Sequence, residues 1–192
     1  MRLFVAAEPS EQVRTTAAEC AQRLRARLQG SRAAEGIRWV PVSNMHLTVW
    51  FLGEVSEPRA DAVLEALRPA LDVPPFELHI DGLGAFPPSG PPRVLWMGVI
   101  RGLAELACAH EEIGTRLQPW GFPPEGRAYS AHLTIARVKE PPHGAARAAL
   151  RQALAHEPAD AGSCRISELT VFRSRTSPAG AVYERLLRVP LR

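Results

Sequence analysis

Two four-residue stretches of this 192-residue chain nearly repeat one another: His46-Leu47-Thr48-Val49 and His132-Leu133-Thr134-Ile135, 86 positions apart. Each stands at the head of a run that alternates well enough to be a β-strand. On a strand, residues i and i+2 share a face, so in each copy the histidine and threonine project together while Leu and Val or Ile point the other way, into a core. Two such strands side by side would line one cleft with two imidazoles and two hydroxyls. That set suits cleavage of a phosphodiester. One neutral imidazole takes a proton from an attacking water, and the other, protonated, gives one to the departing oxygen; the reference pKa of about 6.5 makes both forms accessible near neutrality. The threonine hydroxyls can donate hydrogen bonds to the non-bridging phosphate oxygens. This chemistry requires no metal and no cofactor, and none is expected.

A single His-x-Thr would carry little weight, because a histidine beside a β-favouring threonine is ordinarily a packing or surface residue. Two matching copies, alike also at their apolar positions in a chain with six histidines, point to an internal duplication that keeps a functional pair. His79, His110, His143 and His156 have no such company and read as surface or incidental. His110-Glu111-Glu112 resembles the start of a zinc-protease helix, but Gly114 stands where the second histidine is needed. Cys20, Cys108 and Cys164 are scattered without metal-ligand spacing and read as reduced thiols in or near the core.

The elements that must position these residues can be read along the chain. Arg2 to Ala7 reads as a strand; Ser10 then caps a helix carried by Val13, Ala17, Cys20, Leu24 and Leu28 and ended by Gly30. Ile37 to Val40 is extended before Pro41, His46 to Leu52 is the first motif strand, and a helix follows over about Glu57 to Leu71. Two extended runs, Phe76 to Phe86 and Arg93 to Val99, flank a rigid connector with four prolines. Helical period returns over Leu103 to Leu117, a Pro/Gly-rich loop covers Pro119 to Gly126, and the second motif strand runs from His132 to Val138. A helix over about Ala145 to Ala155 precedes strands over about Ser163 to Arg173 and Ala181 to Val189, joined by a turn at Ser177 to Gly180. Strands and helices mix without a strict βαβ rhythm, so the fold class is α+β with antiparallel sheets.

Composition sets limits. With 46% hydrophobic and 22% charged residues the chain is of ordinary globular type, and no apolar run approaches the roughly 20 residues needed to span a bilayer. Met1 to Ala7 lacks the apolar region of a signal peptide, so a cytoplasmic location with no membrane partner is expected. The length suits one compact unit, and two small lobes sharing a core fit as well. A net charge of +3 does not argue for extensive binding to a nucleic-acid backbone but is compatible with a small anionic ligand. Lys139 is the only lysine, and the abundance of arginine, alongside that of Ala and Pro, carries no functional weight on its own.

The sequence resembles the two-histidine (2H) phosphoesterases, and within them the bacterial and archaeal RNA 2',3'-cyclic phosphodiesterases once named 2'-5' RNA ligases. The resemblance covers nearly the whole chain: Arg2-Leu3-Phe4-Val5-Ala6, Arg38-Trp39-Val40-Pro41 ahead of His46-Leu47-Thr48-Val49-Trp50-Phe51-Leu52-Gly53, Pro92-Arg93-Val94-Leu95-Trp96, and His132-Leu133-Thr134-Ile135-Ala136-Arg137. It implies a single bilobal domain over residues 1–192, two pseudo-symmetric lobes each with an antiparallel sheet and outer helices, and an active cleft between them. It implies opening of a 2',3'-cyclic RNA end to a 2'-phosphomonoester, with His46 as proton donor, His132 as proton acceptor, and Thr48, Thr134 and Arg137 around the phosphate. The partners implied are RNA 3' ends or nucleotides carrying a 2',3'-cyclic phosphate, and a monomer is expected. The alternatives are 2'-5' ligation or cleavage on tRNA halves or other cyclic nucleotides, and a non-catalytic module that binds RNA ends. The family commonly has Pro before the second histidine where this chain has Ala131, which removes no catalytic group. Strict alternation from His132 would turn Arg137 away from the cleft, and a bulge or the strand's end is needed to bring it inward. Phe4, Trp39, Trp50 and Tyr129 are the aromatic candidates for stacking on a base.

Overall fold

The computed structural model describes residues 1–123, 128–177 and 180–192. Its elements in chain order are β1 (Arg2–Ala7), α1 (Glu11–Leu28), β2 (Ile37–Trp39), β3 (Leu47–Glu54), α2 (Glu57–Leu67), β4 (Phe76–Phe86), β5 (Val94–Arg101), α3 (Leu103–Leu117), β6 (His132–Val138), α4 (Gly144–His156), β7 (Gly162–Ile166), β8 (Glu168–Ser177) and β9 (Gly180–Pro190). Parts of the expected loop at 119–126 and turn at 177–180 lie outside the described residues.

Local signals account for most boundaries. The Ser10 hydroxyl accepts from the Val13 amide at 3.3 Å and starts α1. Helix α2 stops at Leu67 and not at Leu71, because Pro69 has no amide to donate and disfavours helical geometry in the residue before it. The strand expected over Ser163 to Arg173 is two strands, β7 and β8, interrupted at Ser167, whose carbonyl accepts from Leu191 at 2.9 Å.

The strands form one curled antiparallel sheet in the order β7-β4-β5-β6-β3-β1-β8-β9, with β2 also paired to β6. The sheet divides at its middle into two lobes. One is β3-β1-β8-β9 and the other is β6-β5-β4-β7, and between them β3 meets β6 at a single register pair, Leu47 with Leu133. The interruption at Ser167 is where the chain passes from one lobe to the other: β7 pairs with β4, β8 with β1.

The helices cross over in reciprocal fashion. Helix α1 leaves β1 but packs on β6, β7 and α4, while α3 leaves β5 but packs on β3 and α2. One continuous apolar core results, running from Leu3 and Val5 through Leu24, Leu47, Leu95 and Leu133 to Leu169. A separate small cluster of Phe4, Ala6 and Phe172, with Tyr183 packed against it, covers the opposite, helix-free face of the first lobe.

Candidate active site at the seam between the lobes

The two motifs adopt the same local form. In β3 the register with β1 shifts between Val5–Trp50 and Ala6–Thr48, leaving Val49 as the extra residue; in β6 the register with β5 shifts between Leu95–Ala136 and Trp96–Thr134, leaving Ile135. The fourth residue of each motif is thus a bulge. The effect is to bury two successive residues in each strand, Val49-Trp50 and Ile135-Ala136, and to turn the next residue, Phe51 or Arg137, outward. Arg137 therefore shares the face of His132 and Thr134, as the bulge condition required.

Each histidine is fixed by its own strand's lead-in. His46 donates from Nδ1 to the Asn44 carbonyl at 2.8 Å, and His132 donates from Nδ1 to the Ser130 carbonyl at 2.8 Å. A carbonyl oxygen can only accept, so in the neutral ring Nδ1 carries the proton and Nε2 is the basic nitrogen. Among the described residues Nε2 of neither ring has a protein partner. Nor does either threonine hydroxyl: Thr48 and Thr134 are half-buried, with no protein partner among the described residues.

Aromatic walls hold the rings from the side. Phe4 stacks on His46 with centroids 4.8 Å apart, and Tyr183 meets it edge-on at 5.2 Å. Phe86 meets His132 edge-on at 5.0 Å, and Trp96 lies 6.5 Å away. Trp96 lies flat over its cross-strand partner Gly84, where a Cβ would come within 2.2 Å of the indole. Among the described residues the buried indole Nε1–H of Trp96 has no hydrogen-bond acceptor.

Electrostatics separates the two imidazoles. Burial pushes both below the usual histidine range; the carbonyl hydrogen bonds of Asn44 and Ser130 oppose this, and the Arg137 guanidinium adds to it at both rings. His46 additionally feels the charge of His132, which lowers it, and that of Glu8, which raises it. Burial works to raise the Glu8 carboxyl itself, but hydrogen bonds from Arg185 and Thr170, with the charges of Arg185 and Arg14, hold it below its ordinary value. Glu8 is therefore an anion that favours a proton on His46, and among the described residues His132 has no counterpart to it.

Several residues differ from their reading in sequence. His110 is not incidental: it is half-buried, stacks between Trp50 at 4.7 Å and Tyr129 at 4.6 Å, and donates from Nδ1 to the carbonyl of the bulged Val49 at 2.7 Å. The Tyr129 hydroxyl donates to the Thr48 carbonyl at 3.2 Å. The two side chains thus hydrogen-bond to successive carbonyls at the β3 bulge. Trp50 and Tyr129 thus belong to the packing behind β3 and not to a base-stacking surface, whereas Phe4 is on the cleft face and Trp39 on an adjoining groove. His79 is tied to Asp160 and Ser163, each at 3.0 Å. Cys108 is exposed and Cys20 alone of the three cysteines is buried. Glu8, Phe86, Phe172 and Tyr183 were missed because they reach the site from strands or strand ends distant in sequence. Among the described residues, no three His, Cys, Asp or Glu side chains are grouped to hold a metal ion, and no helix is long and apolar enough to cross a membrane.

Comparison with known proteins fits this geometry. The family model described as LigT like Phosphoesterase matches twice, over residues 12–96 and 101–183, each match containing one motif. An RNA 2',3'-cyclic phosphodiesterase of Aeropyrum pernix is 36% identical over 168 residues, covering 85% of this chain and 93% of that protein. One from Thermotoga maritima is 32% identical over 185 residues, covering 96% and 92%. Among solved structures, TT0787 of Thermus thermophilus superposes with a TM-score of 0.74 at 25% identity, covering 100% of this chain and 98% of that one. E. coli LigT complexed with 3'-AMP gives a TM-score of 0.70 at 27% identity, covering 99% and 97%. The chain belongs to the LigT-like phosphoesterase family of the 2H phosphoesterase superfamily.

Proposed function

We propose that this protein hydrolyses RNA 2',3'-cyclic phosphate ends to 2'-phosphomonoesters by metal-independent acid–base catalysis, acting as a monomer through a single bilobal domain over residues 1–192. The observation that carries the reading is the matched pair of rings at the seam, each with Nδ1–H fixed on a backbone carbonyl and Nε2 left for proton transfer. The relatives' names supply the substrate class.

In the reaction, water attacks phosphorus as His132 Nε2 takes its proton. The bond from phosphorus to the 3' oxygen breaks as His46 Nε2–H protonates that oxygen, and the phosphate stays on the 2' oxygen. Glu8 favours the protonated form of His46, which is what a donor needs. Thr48, Thr134 and Arg137 hold the non-bridging oxygens, the guanidinium by charge-assisted hydrogen bonds. Solvent restores the proton positions between turnovers.

The test is incubation of an oligonucleotide ending in a 2',3'-cyclic phosphate, with a chelator present, and identification of the product by phosphorus NMR. A 2'-phosphomonoester, with rates falling about 10²- to 10⁴-fold in each of His46→Ala and His132→Ala, is expected. A 3'-phosphomonoester, or activity only with added divalent metal, would reject the reading.

A further inference from the structure

Beside the histidine pair, a groove of about 1240 Å³ runs between the segment from Arg38 to Asn44, the first turns of α1 and the β8–β9 hairpin. That is larger than the roughly 300–1,000 Å³ of a typical small-molecule site. The groove is continuous with the site: Tyr183, Asn44 and Arg137 line it, and these are the residues that touch His46, fix its ring or set its charge.

Its charge is concentrated and in part uncompensated. Arg14, Arg38, Arg137 and Arg185 line it against one carboxylate, Glu11. Arg185 is engaged by Glu8 at 2.6 Å. Arg38 and Arg137 are direct cross-strand partners in the β2–β6 pair, and among the described residues neither has a carboxylate partner. Like charges placed directly opposite are destabilising in a sheet, so the fold carries a cost here that a bound anion would offset. Arg14 adds a second, independent sign: among the described residues its buried Nε–H has no acceptor. Buried orphan donors are rare and cost about 1–3 kcal/mol each. The rim is apolar, with Trp39 lining it and Val42 and Val182 exposed at its edges.

We infer that this groove is a subsite for the sugar-phosphate backbone of the RNA strand upstream of the cyclic end, with Arg38 and Arg14 contacting phosphates and the apolar rim receiving bases. The inference rests on the proposed function and adds a preference for oligonucleotides over cyclic mononucleotides. A 2',3'-cyclic end has no nucleotide beyond it, so chain bound beside the site is upstream chain. The modest net charge does not oppose this, because the arginines are gathered in one place.

The experiment compares kcat/KM for adenosine 2',3'-cyclic phosphate and for a five-nucleotide RNA with the same cyclic end, in wild type and in Arg14→Ala/Arg38→Ala, over a range of salt. In wild type the oligonucleotide should be favoured at least about tenfold, and in the double variant the ratio should fall toward one through KM. The slope of log(kcat/KM) against log salt for the oligonucleotide should weaken by about 0.7 for each phosphate no longer neutralised. Arg14→Lys/Arg38→Lys, which keeps the charge, should retain most of the salt slope. Circular dichroism establishes that each variant is folded. Equal use of both substrates by wild type, or a ratio unchanged in the folded double variant, overturns the groove assignment while leaving the proposed function standing. Failure of wild type to open either substrate overturns the proposed function, and the inference with it.

Discussion

Leu47 and Leu133, the second residues of the two motifs, are cross-strand partners, and both side chains are fully buried. Since this is the single pair joining β3 to β6, equivalent residues of the two repeats meet at the centre of the pseudo-symmetry. Each of these leucines stands between the histidine and the threonine of its own motif, so their pairing sets the two motifs side by side. The buried leucines thereby fix how the two motif strands meet. Either Leu47→Ala or Leu133→Ala should cost about 2–5 kcal/mol of stability, the range for a fully buried leucine. Urea unfolding of both single variants and the double should show a coupling of at least about 0.5 kcal/mol, because the two sites are in contact. Strictly additive losses would mean that the seam does not depend on this pair.

Arg137 acts on both imidazoles by charge and is proposed to act on the phosphate by hydrogen bonds. Arg137→Ala should lower kcat/KM by about 10- to 100-fold, the equivalent of about 1.5–3 kcal/mol for a hydrogen bond to a charged group. The same change removes a cation that depresses both histidines, so both limbs of the pH–rate profile should move to higher pH. A loss of rate with both limbs fixed would place Arg137 outside electrostatic reach of the pair.

Both imidazoles sit below the ordinary value of 6.5 in the folded state, chiefly through burial. The unfolded chain therefore binds these protons more readily. The contribution to stability is present above about pH 6.5 and is lost as pH falls through that value toward the depressed folded ones. Thermal unfolding of the unliganded protein should show a lower Tm at about pH 5 than at about pH 7.5, with a weaker fall in His46→Asn/His132→Asn. In catalysis the kcat/KM profile, which reports the free enzyme, should be bell-shaped with its maximum at or below about pH 6.5. A maximum above about pH 8 would contradict the burial of the pair.

The legible parts of this fold are those with local causes. Helix α3 occupies Leu103–Leu117 as its periodicity requires, and β6 occupies His132–Val138, because Pro119 and the alternation act within a few residues. Along the run from Ser163 the apolar positions slip from Cys164 and Ile166 to Leu169 and Val171 across Ser167-Glu168, and that local break in alternation is where the chain passes from pairing with β4 to pairing with β1. The two motifs carrying His46 and Thr48, and His132 and Thr134, are set side by side by the Leu47–Leu133 pair. Arg137 defeated strict alternation because Ile135 is a bulge, for which the one local sign is a second core-type residue, Ala136, following directly. His110 has its partners 61 positions away in Val49 and 19 away in Tyr129, so nothing adjacent in sequence distinguishes it from a surface histidine. Glu8 meets Arg185 across 177 positions, and the asymmetry it creates between two otherwise matched histidines exists only in three dimensions.

That asymmetry gives a means of separating the roles of the pair. If His46 protonates the departing 3' oxygen, a cyclic substrate with sulfur at the 3' bridging position should substantially rescue His46→Ala, because a thiolate leaves without a proton. His132→Ala should not be rescued, since its missing function is activation of water, which no leaving group can supply. The measurement is the ratio of sulfur to oxygen substrate rates in wild type and in each variant shown to be folded. Glu8→Gln supplies the intermediate case. It keeps the side chain's size and an acceptor for the Thr170 hydroxyl at 3.0 Å, but removes the anion that favours the His46 proton. Its alkaline limb should therefore move to lower pH with the oxygen substrate while the acid limb, set by His132, stays in place. With the sulfur substrate that alkaline limb should be weakened in wild type and Glu8→Gln alike, because proton donation no longer limits the rate. Rescue of His132→Ala in place of His46→Ala would reverse the assignment, and a Glu8→Gln profile displaced on its acid limb would show that the carboxylate acts on the other ring.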